Sequence, residues 1–232
     1  MKVPLVDLKV LHSSIAEELS EAIQRVLLRG NYVIGDEVAA FEQEWATACG
    51  AKYAVGVSSG SDALYLALKW SREKCGIIQQ VTTPLSFWAT VESGLRAGME
   101  VLFWDVDLDT GCMIPAPSSV GKPGYRVHVP VHLYGFPAPD AFSGFVIEDA
   151  SHAHGQKLRG MAAAYSHYPT KPLGALGQAG SLVTNNEDLA AYVRSARAHS
   201  EAGRRFLHTG ISGNFRMDEL QAAVLRVKLR YL

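Results

Sequence analysis

The chain has 232 residues, 48% hydrophobic and 19% charged, a globular composition long enough for one substantial α/β domain or two small ones. Its 22 basic and 23 acidic residues leave a formal charge of −1 with no basic block, so nothing in the balance argues for nucleic acid. Cys49, Cys75 and Cys112 fit neither a disulfide framework nor a zinc site, and no apolar signal core or bilayer-length run occurs, so the expectation is a soluble, cytoplasmic protein without membrane contact.

In chain order, apolar Ile15, Leu19, Ile23 and Val26 recur at helical spacing and predict a helix from about Ser13 to Leu28. A second helix is predicted from Glu37 to about Cys49, ending at Gly50. A strand–helix rhythm follows. Lys52–Ser58 reads as a strand and Asp62–Trp70 as a helix; Ile77–Thr83 is the next strand and Ser86–Ala97 the next helix. Strands are then expected over Val101–Val106, Tyr125–His132, Gly144–Glu148, Ala162–Ser166 and Gly180–Thr184, and a helix from Glu187 to about His199. Such alternation predicts a three-layer α/β/α architecture with a mostly parallel sheet, whose ligands bind beyond the carboxyl ends of the strands. Met217–Leu232 reads as a last helix. Its apolar Leu220, Val224, Val227 and Leu229 call for a covering surface, which a second domain or another subunit would ordinarily supply.

Three segments carry chemistry. Val57-Ser58-Ser59-Gly60-Ser61-Asp62 joins a strand to a helix start through small residues, a turn whose backbone N–H groups suit an anion; the plain reading is a turn capped by Ser61. Glu148-Asp149-Ala150-Ser151-His152-Ala153-His154-Gly155 places an acidic pair directly after an apolar strand, and Asp149 could pair with a cationic ring nitrogen. The spacing of His128, His132, His152 and His154 matches no common zinc pattern, so no metal is expected. In Ser166-His167-Tyr168-Pro169-Thr170-Lys171-Pro172-Leu173-Gly174, a lone lysine sits in an apolar turn. Desolvation there would favour a nucleophilic amine, although a surface lysine is the commonest fate of that residue.

Taken together and in order, these segments resemble the DegT/StrS family of pyridoxal-phosphate-dependent sugar aminotransferases. The likeness also includes Asn31-Tyr32-Val33-Ile34-Gly35, Phe41-Glu42, Ser86-Phe87-Trp88-Ala89-Thr90, Val131-His132-Leu133-Tyr134-Gly135 and Gly213-Asn214-Phe215-Arg216-Met217-Asp218-Glu219-Leu220. Members usually have Thr at the position of Ser61. The resemblance implies the fold type I large domain with pyridoxal 5'-phosphate as cofactor. Lys171 would hold it as a Schiff base and shuttle the proton, Asp149 would pair with the pyridinium nitrogen, and Phe87 would stack on the ring. His152 would lie near the 3-hydroxyl, and Gly60, Ser61 and Ser166 would hold the phosphate. Asn214 would reach the cofactor of a neighbouring subunit, implying a homodimer with shared sites. Relatives that dehydrate carry His at the lysine position, so Lys171 implies amino transfer, usually from glutamate, to a keto group of a nucleotide-linked sugar. The expected organisation is one cofactor-binding domain over residues 1–232, with a helical arm over about 1–50 and without the smaller C-terminal domain of most members. Between Gly135 and Gly144, and again between Gly155 and Ser166, the chain is shorter than is usual in the family. Two other readings stay open: a homologue that binds the cofactor but is catalytically weak or regulatory, and a non-enzymatic ligand-binding module.

Overall fold

The computed structural model describes residues 3–115, 124–142, 144–203 and 206–232. The chain opens with helices α1 (Leu8–Ser13), α2 (Ala16–Arg29) and α3 (Asp36–Cys49), then strand β1 (Tyr53–Val57) and helix α4 (Gly60–Cys75). Strand β2 (Gln79–Thr82), helix α5 (Trp88–Arg96) and strands β3 (Glu100–Phe103), β4 (Arg126–His128), β5 (Phe145–Asp149), β6 (Ala162–Ser166) and β7 (Gly180–Thr184) follow. Helices α6 (Glu187–Ala196) and α7 (Glu219–Leu229) complete the set.

The seven strands form one sheet in the order β1-β7-β6-β5-β4-β2-β3. All neighbours are parallel except β7, which runs antiparallel to both β1 and β6. Two antiparallel steps return β1 to the direction of β6, so the carboxyl ends of β1, β2, β4, β5 and β6 meet at one edge.

Side chains alternate across the pleat and build two cores. Val55, Val57, Ala162, Ala164 and Leu182 face Leu64 and Leu68 of α4 and Leu189 and Val193 of α6. Ala54, Ala163, Tyr165 and Val183 face Phe41 and Trp45 of α3 and Ala222 and Leu225 of α7. The expected three-layer α/β/α fold with a mostly parallel sheet is present.

Several boundaries differ from expectation. Helix α4 continues past Trp70 to Cys75 and stops at Gly76, whose φ of 70° is left-handed. The strand expected to reach His132 pairs over Arg126–His128, two residues short of Pro130, which has no N–H to offer a ladder. The covering surface for α7 comes from within the chain: Leu220, Val224 and Val227 pack on Leu19, Ala22 and Val26 of α2, and Leu229 packs on the core beneath α3. Among the described residues no helix is long and apolar enough to cross a membrane.

Candidate active site

The strand-to-helix turn after β1 builds the first wall. Ser59, in extended conformation, caps α4 by accepting the Asp62 N–H on its hydroxyl at 3.1 Å. The capping residue is therefore Ser59 and not Ser61, which leaves the Ser61 side chain on the cleft wall. The first-turn N–H groups of Gly60 and Ser61 precede any acceptor within the helix and lie at its positive end. A Cβ on Gly60 would sit 2.8 Å from the Cα of Ser166, and one on Gly180 2.1 Å from the carbonyl carbon of Ser59. Only glycine lets the ends of β6 and β7 pass this close to the turn.

The opposite wall carries the acid. Asp149 ends β5 and is buried. Its Oδ2 accepts the Thr90 hydroxyl at 2.7 Å and its Oδ1 accepts the Ser151 N–H at 3.2 Å. The Thr90 proton is committed to Asp149, so the Ser86 hydroxyl, 2.6 Å away, donates to Thr90 in turn. This relay holds the carboxylate in one pose.

Lys171 rides on the loop that leaves β6. His167 closes the neck of that loop: its N–H donates to the Ala179 carbonyl and its carbonyl accepts the Ala175 N–H, both at 2.8 Å. The fully buried ring lies 3.0 Å from the Leu173 carbonyl through Nδ1 and 2.9 Å from the Ser181 hydroxyl through Nε2. A carbonyl can only accept, so Nδ1 bears the proton and Nε2 receives that of Ser181. Burial pushes the His167 pKa down to about 4. The Lys171 amine is half-buried; burial holds its pKa below the ordinary ammonium value, and the negative charge of Asp149 pulls it part of the way back.

A cleft of about 480 Å3 joins these parts; Gly60, Ser61, Phe87, Asp149, His152, Ser166 and Lys171 all line it. Phe87, at the N-terminus of α5, is 77% exposed, so its ring face is open to a ligand. His152 is shifted toward its neutral form, first by burial and then by the Lys171 charge, against the pull of Asp149. Of the residues to which the resemblance gives a task, Asn214 alone stands apart. It is exposed, accepts the Arg216 Nε–H at 2.8 Å, and bridges to Ala198 beyond β1. His154 points away into a ring cluster with Trp45, Tyr165 and His167, at centroid distances of 5.8, 5.4 and 5.3 Å. Among the described residues no three His, Cys, Asp or Glu side chains gather as a metal site.

Sequence reasoning did not single out Thr90, Ser86, Gln178 or Tyr134. The first two lie in the Ser86–Thr90 motif, where a hydroxyl on the first turn of a helix packed beside an acidic strand end was the available signal. Tyr134 lay within a recognised motif without an assigned task, and Gln178, which also lines the cleft, carried no local signal.

Residues 13–232 match the DegT/DnrJ/EryC1/StrS aminotransferase family. The chain belongs to that family. It is 34% identical to a "Pleiotropic regulatory protein" of Geobacillus stearothermophilus, covering 100% of this chain and 66% of the relative. It is 35% identical to the dTDP-3-amino-3,4,6-trideoxy-alpha-D-glucose transaminase of Streptomyces venezuelae, covering 100% and 65%. The solved structure of S. venezuelae DesV in complex with a ketimine intermediate superposes with a TM-score of 0.90 at 34% identity, over 99% of this chain and 66% of that one. The chain thus spans about two thirds of the length of these relatives.

Proposed function

We propose that this chain carries the cofactor-binding part of a pyridoxal-phosphate-dependent aminotransferase that moves an amino group, usually from glutamate, to a keto group of a nucleotide-linked sugar. The observation that carries the reading is the convergence, on one cleft, of a half-buried amine, a buried carboxylate held by two donors, and a helix N-terminus. The donor set fits a phosphorylated pyridine aldehyde: the first turn of α4 with Ser61 and Ser166 suits a phosphate, Asp149 a ring N–H, and Lys171 an aldehyde carbon. When bound, that group supplies an electron-poor ring able to stabilise negative charge on the carbon bearing the transferred nitrogen.

The residues of the chain do the rest. The Lys171 amine, depressed by burial, is more readily available unprotonated, both to bond the cofactor and to carry a proton. Asp149, locked by Thr90 and Ser151, keeps a ring nitrogen opposite it protonated. Leu64, Ala89, Val131 and Leu133 line the cleft with apolar surface that excludes water. Phe87 offers a flat face and His152 a polar edge. Asn214 lies outside the cleft of its own chain, which supports service to the site of a second copy and so a homodimer. The substrate class rests on the 35% identical transaminase named above, and a cytoplasmic setting on composition.

The purified protein mixed with pyridoxal phosphate is expected to develop a visible absorbance band that borohydride bleaches, leaving a reduced adduct on the peptide containing Lys171. Lys171→Ala should lose the adduct, and saturating glutamate should convert the bound cofactor to its amine form. A reducible adduct that survives Lys171→Ala would overturn the assignment. A bound cofactor that glutamate leaves unchanged would favour the regulatory reading.

A further inference from the structure

His152 and Tyr134 meet in a way that the catalytic reading does not require. Tyr134 has φ 52° and ψ 23°, a left-handed conformation unfavourable to a residue with a side chain. Strain of this kind persists where surrounding contacts over-determine it, and it clusters at functional sites. Three hydrogen bonds hold the turn at Tyr134. The Gly135 carbonyl accepts the Gln156 side-chain amide at 2.7 Å. The His132 N–H donates to the Asp149 carbonyl at 3.0 Å, and the Phe136 N–H donates to the Leu133 carbonyl at 3.0 Å. The turn Leu133–Gly135 is thereby pinned along the segment that runs from Asp149 to Gln156.

The strained backbone aims the Tyr134 N–H at His152 Nδ1, 3.3 Å away. The Tyr134 ring lies flat against the imidazole, with centroids 5.5 Å apart and planes 4° apart. A backbone N–H can only donate, so Nδ1 must present its lone pair. Burial and the neighbouring Lys171 charge both disfavour a second proton on the ring. One proton remains to be placed, and only Nε2 is left for it.

We propose that Tyr134 is a positioning residue that fixes His152 as the Nε2–H tautomer, so that the imidazole offers the cleft a hydrogen-bond donor and no acceptor. The ligand chemistry selected is an acceptor oxygen at the His152 edge of a ring held between Lys171 and Asp149. That last step rests on the function proposed above; the tautomer itself does not.

The test is made on the protein without cofactor, labelled with 15N in its histidines, by long-range proton–nitrogen correlation, with His152→Gln assigning the signal. The expected result is a single Nε2–H pattern for His152, kept in Tyr134→Phe. Tyr134→Gly keeps the backbone N–H and suits the backbone angle, so it should keep the pattern as well, whereas Gln156→Ala, which releases the Gly135 carbonyl and with it the turn that aims this N–H, should move the pattern toward the averaged shifts of two exchanging tautomers. An Nδ1–H pattern in the parent protein overturns the proposal, and so does an unaltered Nε2–H pattern in Gln156→Ala. Loss of borohydride-reducible cofactor binding with the tautomer result intact would instead sink the functional reading and leave this one standing.

Discussion

His167 shows how one residue can serve both stability and the site. Its imidazole is fully buried, holds Leu173 and Ser181 at the neck of the Lys171 loop, and has its pKa pushed down to about 4 by burial. A histidine whose folded pKa lies below the unfolded value of about 6.5 binds fewer protons when folded. Its contribution is therefore whole above about pH 6.5 and is lost progressively as the pH falls toward about 4, by about 3 kcal/mol in all. His154, in the same ring cluster, is lowered too, chiefly by burial, and acts in the same sense. Urea midpoints measured at pH 7 and pH 4.5 should show this acid-side loss, and His167→Phe should flatten it although it lowers stability at pH 7. An equal slope in the two proteins would mean that His167 is already protonated, or accessible to water, in the native state.

Elements are tied together by residues far apart in sequence. Gly35 precedes α3 and has no side chain to cap it. The cap comes from Glu219, at the start of α7, whose carboxylate accepts the N–H groups of Gly35, Glu37 and Val38 at 2.8, 2.9 and 2.9 Å. Glu219 is 2% exposed, so Glu219→Ala strands buried donors and should cost about 3 kcal/mol in denaturant unfolding, with Glu219→Gln intermediate because it keeps one acceptor oxygen. A loss within error of zero would show that water replaces the carboxylate. This contact also marks the limit of what was legible. The gathering of Lys171, Asp149 and His152 was implied only by the resemblance of several ordered motifs to a family. The strand–helix rhythm could be read from local pattern, because hydrophobic period and small-residue turns are local facts. The capping of α3 by α7, the reversed direction of β7, and the cover that α2 gives to α7 could not, because each is settled by pairing across the whole chain. Ser59 against Ser61 as the cap of α4 was a choice between adjacent serines that only backbone conformation decides.

For the molecule as a whole, β1 is an edge strand and its outer backbone needs an answer. The cover is an ion pair drawn from both helical layers. Glu42 of α3 accepts the Gly56 N–H at 2.9 Å, Arg197 just beyond α6 donates to the Gly56 carbonyl at 2.7 Å, and the two side chains bond each other. Arg194 reaches the Ala54 carbonyl at 3.4 Å, and the Ser58 N–H finds the Phe215 carbonyl at 2.9 Å. One edge of the sheet is thus sealed by the same residues that join the α3 layer to the α6 layer. Arg197→Met fills similar volume but leaves Glu42 with only the Gly56 N–H and the more distant Arg194, and leaves the Gly56 carbonyl bare. Removing one partner of a buried pair costs about 3–5 kcal/mol, which for a chain of this size lowers the melting temperature by roughly 10 °C. The freed edge should also pair between molecules, visible as concentration-dependent growth in light scattering. Adding Glu42→Gln should recover part of the lost stability by removing the stranded charge, without restoring the edge. A single variant that melts with the parent and stays the same size at every concentration would show that the edge is protected by Phe215 and Arg194 alone, and that the two helical layers hold together without this pair.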